Sequence, residues 1–324
     1  MALEEKIEKL DEFVCKSGIP RMSLSGKKKQ EIVEYEFELI NKRNVNLINP
    51  ERFSDKIVWY KLFYNNKNFE QYVCKVKLKD FINETIGSGY TAKLYGAWDS
   101  VDEIDWDSLP KSFVLKSNCS SFGNNILFIE DKYRVNFEKI KEEVSPWLDF
   151  RNTAINSFSR AYYCVKPMIM AEELLGEIRN QPVDYKIFCF NGVPTFSYSA
   201  FEHFDNGKAQ SSKIAFYDMD WNILPVIYKK SQCVPVEQPK HFEEMKEIAA
   251  KLSKNLPFVR VDFYDTDDRL LVGEMTFYSG DMANKFTPDT FDFEMGKKFV
   301  LPKKSRPHSI IKPKYFNGVK LKYK

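Results

Sequence analysis

Two carboxylates and an arginine alternate with apolar residues in the segment FVRVDFYDTDDRLLVGEMTFYSG, residues 258–280. Arg260 and Asp262 stand between apolar odd positions, and Glu274 and Thr276 do so again beyond the TDDR turn. Because both apolar faces must enter one core, strand pairing has to bring the even positions together, with Asp262 opposite Glu274. Neighbouring carboxylates beside an arginine suit Mg²⁺ and phosphate together. A solvated sheet face with a salt bridge is the alternative interpretation.

A second candidate site is a lysine at the end of a strand. Lys116 closes the segment KSFVLK, the loop SNCSSFGNN follows, and ILFIE returns from it. The pattern predicts a hairpin whose small residues let backbone N–H groups approach a phosphate, with Lys116 as a point charge. The loop has neither the GxxxxGK[ST] nor the GxGxxG spacing, so an ordinary polar hairpin is the alternative.

The segment VKPMIMAEELLGE, residues 165–177, combines Lys166, an apolar strand and the acidic pair Glu172 and Glu173. Such an edge is suited to gripping adenine through backbone groups while a carboxylate takes the ribose; by itself it is a strand leading into a loop. The order of the motifs along the chain is more informative. A lysine with a small-residue loop comes first, and a lysine with a strand that ends in EE follows. A strand that begins with DYK and a strand with RxD, followed by a Glu, complete the order.

Hydrophobic periodicity predicts the elements that must position these residues. Helices are expected over residues 3–16, 31–40, 75–86, 137–148 and 241–255, and buried strands over 167–171 and 185–190. The result is an α+β protein. Its expected parts are a helical N-terminal region (1–72), a linking segment (73–110), a small lobe (111–175), a C-terminal lobe (176–302) and a basic tail (303–324).

The chain of 324 residues is 43% hydrophobic and 29% charged, which excludes a disordered or collagenous protein. Its six Cys include no CxxC pair and it has three His, so neither a zinc site nor a disulfide framework is expected. Since it contains no apolar run of about 18 residues and starts with acids, we expect a cytoplasmic protein.

Residues 303–324 contain eight Lys or Arg and no acid. Removing them from the 49 basic and 46 acidic residues of the chain leaves 41 against 46, a mildly acidic body. The tail is thus a separate basic element, suited to an anionic glycan, a membrane surface or a partner, or else a solvated arm. A nucleic-acid partner is not expected.

The motifs SFVLKSNCSSFGN, VKPMIMAEELL, DYKIFCFNGVP, FYDMDWN, LPFVRVDFYD and GEMTFYSGDMANKFTP lie in order between about residues 73 and 302. In wording and order they resemble the TupA-like branch of the ATP-grasp superfamily, a group of teichuronopeptide and capsular-polysaccharide biosynthesis. The resemblance implies the ATP-grasp fold, in which two α/β lobes grip ATP, and an ATP- and magnesium-dependent ligase that forms amides.

The resemblance also implies residue roles, position by position. Lys75 and Lys116 would bind the phosphates of the nucleotide, and Ser120, Ser121 and Gly123 would lie in the mobile loop over them. Glu172, Glu173 and Leu175, preceded by Lys166, would form the hinge that holds adenine. Asp184 would bind the ribose. Lys186 would contact the nucleotide or intermediate, Arg260 the phosphate, and Asp262, Glu274 and Thr276 the magnesium ion.

The chain departs from the superfamily pattern at three positions. Cys74 and Cys119 replace an Asp and a His that are usual or frequent elsewhere, and neither change removes a phosphate ligand. Thr276 replaces an Asn that is often the third metal ligand. The TupA-like branch resembles this chain in carrying Thr, which implies that a hydroxyl or water completes the Mg²⁺ shell.

In ATP-grasp enzymes a carboxylate attacks the γ-phosphate, and an amine displaces the resulting acylphosphate, while the protein positions groups and neutralises charge. For this branch the implied acid is a hexuronic acid of a capsular or cell-surface polysaccharide or its precursor, and the implied amine is an amino acid or small amino alcohol. A sugar kinase and a catalytically silent assembly scaffold stay open as alternatives. The intact Asp262 and Glu274 argue against the scaffold.

Overall fold

The computed structural model describes residues 26–119, 125–149, 158–176, 182–201, 204–205, 208–209, 213–229, 231–266, 268–280, 284–305, 315–316 and 319–320. Its α-helices are α1 (Gly26–Asn41), α2 (Phe53–Phe63), α3 (Phe69–Val73), α4 (Lys75–Ile86), α5 (Phe137–Val144), α6 (Phe242–Leu252) and α7 (Thr290–Lys298). Short 3₁₀ helices occupy Val101–Glu103, Lys132–Arg134, Ser145–Leu148 and Arg160–Tyr162.

The strands, in chain order, are β1 (Leu94–Trp98), β2 (Phe113–Ser117), β3 (Ile126–Ile129), β4 (Ile169–Glu172), β5 (Asp184–Phe190), β6 (Val193–Phe201), β7 (Phe204–Asp205), β8 (Lys208–Ala209), β9 (Lys213–Tyr217), β10 (Ile223–Leu224), β11 (Ile227–Tyr228), β12 (Phe258–Asp265), β13 (Leu270–Thr276), β14 (Phe286–Thr287), β15 (Tyr315–Phe316) and β16 (Val319–Lys320). Helices and antiparallel sheets therefore occur together, which confirms the α+β prediction.

The smaller sheet has the strand order β1-β4-β2-β3, with all neighbours antiparallel. The predicted hairpin is its β2–β3 pair, in which Lys116 lies opposite Ile126. One face of this sheet and helix α5 share a core that includes Phe113 and Trp147. Strand β1 precedes residue 111 in the chain but pairs with β4, so the segment before the predicted small lobe supplies an edge of its sheet.

The larger sheet has the order β10-β9-β6-β5-β12-β13 and is also antiparallel. Its central strand β5 is almost continuously buried because both faces are covered. On one face the thiol of Cys189 lies 3.8 Å from the Ala249 carbonyl oxygen of α6. On the other face Phe188 and Phe190 pack edge-on against Phe53 of α2, with ring centroids 6.1 and 5.8 Å apart.

Helix α2 belongs to the core of the larger lobe, although it lies in the N-terminal region. Its Ser54 hydroxyl donates to the Asp292 carboxylate of α7 at 2.5 Å. Gly296 of α7 permits this packing, because a Cβ there would lie 1.8 Å from the Glu51 carbonyl oxygen. The two helices thus cover the aromatic end of the sheet face whose other end carries Lys186 and Asp262.

The helices predicted over residues 31–40, 75–86, 137–148 and 241–255 are confirmed as α1, α4, α5 with its 3₁₀ extension, and α6. The helix predicted over residues 3–16 lies outside the described residues. In the described ranges no helix combines the length and apolar character that crossing a membrane requires.

Candidate functional site

The pairing of β12 with β13 confirms the predicted register. Arg260 lies opposite Thr276, and Asp262 lies opposite Glu274. The register shifts by one residue directly after Asp262, where a bulge begins. The polar side chains of the two strands therefore meet on one face over a short stretch, between the bulge and the end of β13.

Asp262 is buried between two cations. Its carboxylate accepts two hydrogen bonds from the Arg260 guanidinium, from Nε and Nη2, both 2.6 Å long, and one of 2.9 Å from the Lys186 ammonium. Burial alone would raise the pKa of Asp262, but these two positive charges hold it below its ordinary value. Burial alone would lower the pKa of Lys186, but the charges of Asp184 and Asp262 hold it well above its ordinary value.

Three hydroxyl groups also accept hydrogen bonds from the Arg260 guanidinium. Arg260 donates to the Tyr198 hydroxyl at 3.3 Å, to Ser279 at 3.1 Å and to Thr276 at 3.0 Å. The sequence prediction did not include Tyr198 or Ser279. Tyr198 could have been found from alternation in β6, because that strand neighbours β5 and Tyr198 pairs with Lys186.

Asp184 begins β5, two residues before Lys186, and its Oδ2 accepts a hydrogen bond from that ammonium. Its other oxygen, Oδ1, is buried and has no hydrogen-bond donor among the described residues. Burial raises the pKa of Asp184 to about 6, against the opposing charge of Lys186. An unsatisfied buried oxygen is suited to a donor on a ligand, such as a sugar hydroxyl.

Lys116 and Glu172 form a buried ion pair between the neighbouring strands β2 and β4. A second lysine, Lys79 of α4, lies 3.1 Å from the other oxygen of the same carboxylate. Burial would raise the pKa of Glu172, but the two lysines hold it below its ordinary value. Sequence reasoning missed Lys79, whose signal is that it follows Lys75 by one helical turn.

Lys75 joins the two sheets. It opens helix α4, its backbone N–H donates to the Asn118 carbonyl at 2.8 Å, and its ammonium lies 3.9 Å from the Glu274 carboxylate of β13. Its charge also acts on Lys116. The predicted phosphate lysines therefore lie close to the face of β12 and β13 that carries Arg260, Asp262, Glu274 and Thr276, which we call the metal face. Lys75, Lys79 and Lys116 form a lysine-rich region beside it.

The predicted hinge follows β4. Glu173 forms an ion pair with Arg269, which precedes β13, and its backbone N–H donates to the Lys93 carbonyl at 2.9 Å. It thereby connects the two sheets. Leu175 is partly buried in the irregular segment beyond it. Lys166 forms an ion pair with Asp99, and its carbonyl accepts a hydrogen bond of 3.0 Å from the Asn118 side chain.

The predicted loop residues Ser120, Ser121 and Gly123 lie outside the described residues. The loop begins after Cys119, which is fully buried. Burial raises the pKa of the Cys119 thiol to about 12, so it stays protonated near neutral pH. This cysteine is therefore a packing residue at the base of the loop.

The donor set of the metal face fits Mg²⁺, which prefers carboxylate oxygens and retains waters. Three of the four lone-pair positions on the Asp262 carboxylate accept hydrogen bonds, so one is left, and the Glu274 side chain is 29% exposed. In the described ranges, no cluster of three or more acidic, Cys or His side chains is arranged to hold a metal ion. Asp262 and Glu274 would hold the ion together with water or the Thr276 hydroxyl.

Among solved structures, the chain is similar to D-alanine–D-alanine ligase from Bacillus anthracis, at 15% identity over 64% of this chain and 56% of that one, with a TM-score of 0.39. D-alanine–D-alanine ligase from Helicobacter pylori is 13% identical over 72% of this chain and 60% of that one, with a TM-score of 0.41. Carboxyaminoimidazole ribonucleotide synthase from Aspergillus clavatus is 9% identical over 68% of this chain and 46% of that one, with a TM-score of 0.39. The chain thus spans about half to three fifths of the length of these proteins.

Curated proteins give no significant sequence match. The family model described as TupA-like ATPgrasp matches residues 55–300, which is most of the chain and includes every described candidate residue. The chain therefore belongs to the TupA-like ATP-grasp family and has the ATP-grasp fold of that family.

Proposed function

We propose that the protein is an ATP- and magnesium-dependent carboxylate–amine ligase. It joins an amino acid or a small amino alcohol to a hexuronic acid of a capsular or cell-surface polysaccharide, or of its precursor. The observation that carries the proposal is the 3.9 Å approach of Lys75 to Glu274, which joins a lysine-rich region to a face with two carboxylates and an arginine.

The lysine-rich region suits the phosphates of ATP. Lys79 and Lys116 both form ion pairs with Glu172, Lys75 lies 3.9 Å from Glu274, and burial lowers the pKa of Lys116. Three lysines beside two carboxylates leave an excess of positive charge, which an anionic ligand would balance. Asp184 and the segment at Glu173 provide an acceptor for ribose and a backbone edge for adenine.

The metal face suits the step in which the γ-phosphate of ATP is transferred to the carboxylate. Asp262 and Glu274 would hold magnesium, which neutralises the charge of the phosphate oxygens when it is bound. Asp262, Tyr198, Ser279 and Thr276 together accept from all five N–H donors of Arg260, so its positive charge is held in place without further ordering. Arg260 and Lys186 would orient the attacking carboxylate and hold the acylphosphate for the amine.

The test is product trapping with hydroxylamine. The protein is incubated with ATP, Mg²⁺ and a panel of hexuronic acids, and hydroxamate is measured with each acid and without any acid. The proposal expects hydroxamate only with an acid, and ATP consumption without hydroxylamine only when acid and amine are both present. A kinase would consume ATP with a sugar hydroxyl alone and form no hydroxamate, and that result would overturn the proposal.

A further inference from the structure

The turn that follows strand β13 includes Ser279, one of the partners of Arg260. Ser279 is buried, and its hydroxyl accepts a hydrogen bond of 3.1 Å from Nη1 of Arg260. Since β13 ends at Thr276, its pairing with β12 does not extend to this turn. The position of the Ser279 hydroxyl therefore depends on other contacts that the turn makes.

The side chain of Asn284 joins this turn to strand β11. It is buried, its Nδ2 donates to the Ser279 carbonyl oxygen at 2.7 Å, and its Oδ1 accepts a hydrogen bond of 2.8 Å from the Tyr228 hydroxyl. Tyr228 lies on β11, where it pairs with Phe286 of β14. Because the two ends of the Asn284 amide bind different partners, this side chain fixes the distance between the turn and β11.

Gly280 allows the turn to pack closely against Tyr228 and Asn284. Its φ is +69°, a conformation that residues other than glycine rarely adopt. A Cβ at this position would lie 1.8 Å from Oδ1 of Asn284 and 2.2 Å from the hydroxyl oxygen of Tyr228. The turn is thus shaped to receive the hydrogen-bonded pair, and an added methyl group would push the pair or the turn away.

Tyr228 also supports a second neutral partner of Arg260. Nη1 of Arg260 donates to the Tyr198 hydroxyl at 3.3 Å, and the Tyr198 ring packs against the Tyr228 ring with centroids 6.4 Å apart. Both acceptors of Nη1 therefore rest on Tyr228, one through Asn284 and the other through ring packing. The other two nitrogens of the guanidinium, Nε and Nη2, donate to the Asp262 carboxylate.

We propose that Tyr228 and Asn284 are positioning residues that fix Nη1 of Arg260 for the transfer of the γ-phosphate. A charge stabilises a transition state best when its surroundings are ordered before the reaction begins. Asp262 fixes one edge of the guanidinium, and the hydroxyls supported by Tyr228 fix the other. The reaction step rests on the proposed function, whereas the support of Arg260 rests on the hydrogen bonds alone.

The first test measures the guanidinium directly and needs no substrate. In protein labelled with ¹⁵N-arginine, hydrogen bonds on both Nη1 and Nη2 slow rotation about their bonds to Cζ, so the two nitrogens give separate NMR signals. The loss of these signals in Arg260→Lys assigns them. We expect separate signals in wild type and faster exchange between them in Tyr228→Phe, which removes the hydroxyl and keeps the ring. Averaged signals in wild type, or unchanged signals in Tyr228→Phe, would overturn the proposal.

Tyr217→Phe is the matched control for Tyr228→Phe. Tyr217 is a buried residue of the same sheet, and its hydroxyl accepts a backbone hydrogen bond of 2.8 Å. Because its neighbour Phe216 packs against Tyr198, Tyr217 points to the opposite face of the sheet. The control should lose stability and leave the Arg260 signals unchanged. Equal changes in both variants would indicate a general loosening of the fold and would also overturn the proposal.

The second test is steady-state kinetics with ATP, Mg²⁺, a hexuronic acid and hydroxylamine. Tyr228→Phe should lower kcat by roughly five- to fiftyfold and leave the KM for ATP within about twofold of wild type. Gly280→Ala should act in the same direction because it displaces the pair, whereas Tyr217→Phe should leave kcat unchanged. A wild-type kcat in Tyr228→Phe would overturn the proposal. If wild type shows no acid-dependent turnover, the proposed function fails, while the NMR test still decides the support of Arg260.

Discussion

Arg260 and Lys186 both form ion pairs with Asp262, whereas the ammonium of Lys29, on helix α1, lies 5.6 Å from the centroid of the Tyr163 ring. In the first cluster the pKa of Asp262 is lowered and that of Lys186 is raised, so the protein holds both charges in place. In the second the pKa of Lys29 is lowered to about 8, so the fold disfavours its charge.

The difference shows how a neighbouring carboxylate offsets the cost of burying a cation. A counter-charged cluster is stable without a ligand and fixes the direction of its donors, as a transition-state site requires. A largely buried lysine that lies against a ring, without a carboxylate to stabilise its charge, costs stability while it is protonated. The following predictions examine this comparison in order of decreasing effect.

Asp262→Asn should have the largest effect, because it removes a metal ligand and leaves Arg260 and Lys186 buried without their counter-charge. We expect nearly complete loss of turnover and a loss of about 3–5 kcal/mol in unfolding free energy. Glu274→Gln, at a partly exposed position, should abolish turnover as thoroughly but cost about 1 kcal/mol or less. Rate assays and urea denaturation of both variants measure this. Near-wild-type turnover in both would contradict the metal assignment.

Lys116→Ala should weaken ATP binding by roughly 10- to 100-fold, since it removes a buried cation from the lysine-rich region. Lys75→Ala should act in the same direction. Lys111→Ala is the matched control, because Lys111 is exposed, precedes β2 by two residues and lies 3.6 Å from Asp131. Calorimetric titration with ATP measures all three, and equal affinity in Lys116→Ala and Lys111→Ala would move the phosphate site elsewhere.

The register of β12 and β13 could be predicted from the sequence because a period of two fixes which side chains share a face. Once Val259 and Val261 are assigned to the core, Asp262 has to meet Glu274. The lysines at the ends of α4 and β2 could be predicted only as separate motifs. Their approach to Glu172 and Glu274 depends on how β1 and α4 pack against the sheets, and no local pattern encodes that packing.

The burial of Lys29 and Arg160 could not be predicted at all. Lys29 lies on a helix in the lysine-rich stretch GKKK, where exposure is the ordinary expectation, and Arg160 lies in a short 3₁₀ helix without periodicity. Similarly, Tyr198 and Ser279 become partners of Arg260 only through the strand order of the larger sheet.

The stability of wild type should rise with pH between about 8 and 10.5 relative to Lys29→Met. The folded-state pKa of Lys29 is about 8 and its ordinary value is 10.5, so in this window the unfolded chain binds more protons. Stability therefore increases with pH, and below pH 8 the penalty of the charged form is fully present. The difference between the two proteins should change by on the order of 2–3 kcal/mol across the window. Parallel pH dependence in urea denaturation would contradict an uncompensated charge at Lys29.

Removing residues 306–324 should have the smallest effect and leave ATP affinity unchanged. Removing 303–324 should also preserve it but lower the melting temperature slightly, because the Ser305 backbone N–H donates to the Phe63 carbonyl at 2.8 Å and its hydroxyl accepts from the Asn65 backbone N–H at 2.7 Å. Melting curves and ATP titrations of both truncations measure this. Loss of ATP binding in either folded truncation would show that the tail contributes to the nucleotide site.

The transfer of oxygen from the acid to phosphate tests the central claim most directly. With a uronic acid labelled with ¹⁸O in its carboxyl group, and with ATP, Mg²⁺ and an amine, the released phosphate is analysed by mass spectrometry. A carboxylate that attacks the γ-phosphate leaves one of its oxygens on that phosphate when the amine displaces it. The ligase therefore predicts one labelled oxygen in the phosphate for each amide formed, and unlabelled phosphate accompanying amide formation would contradict the acylphosphate route.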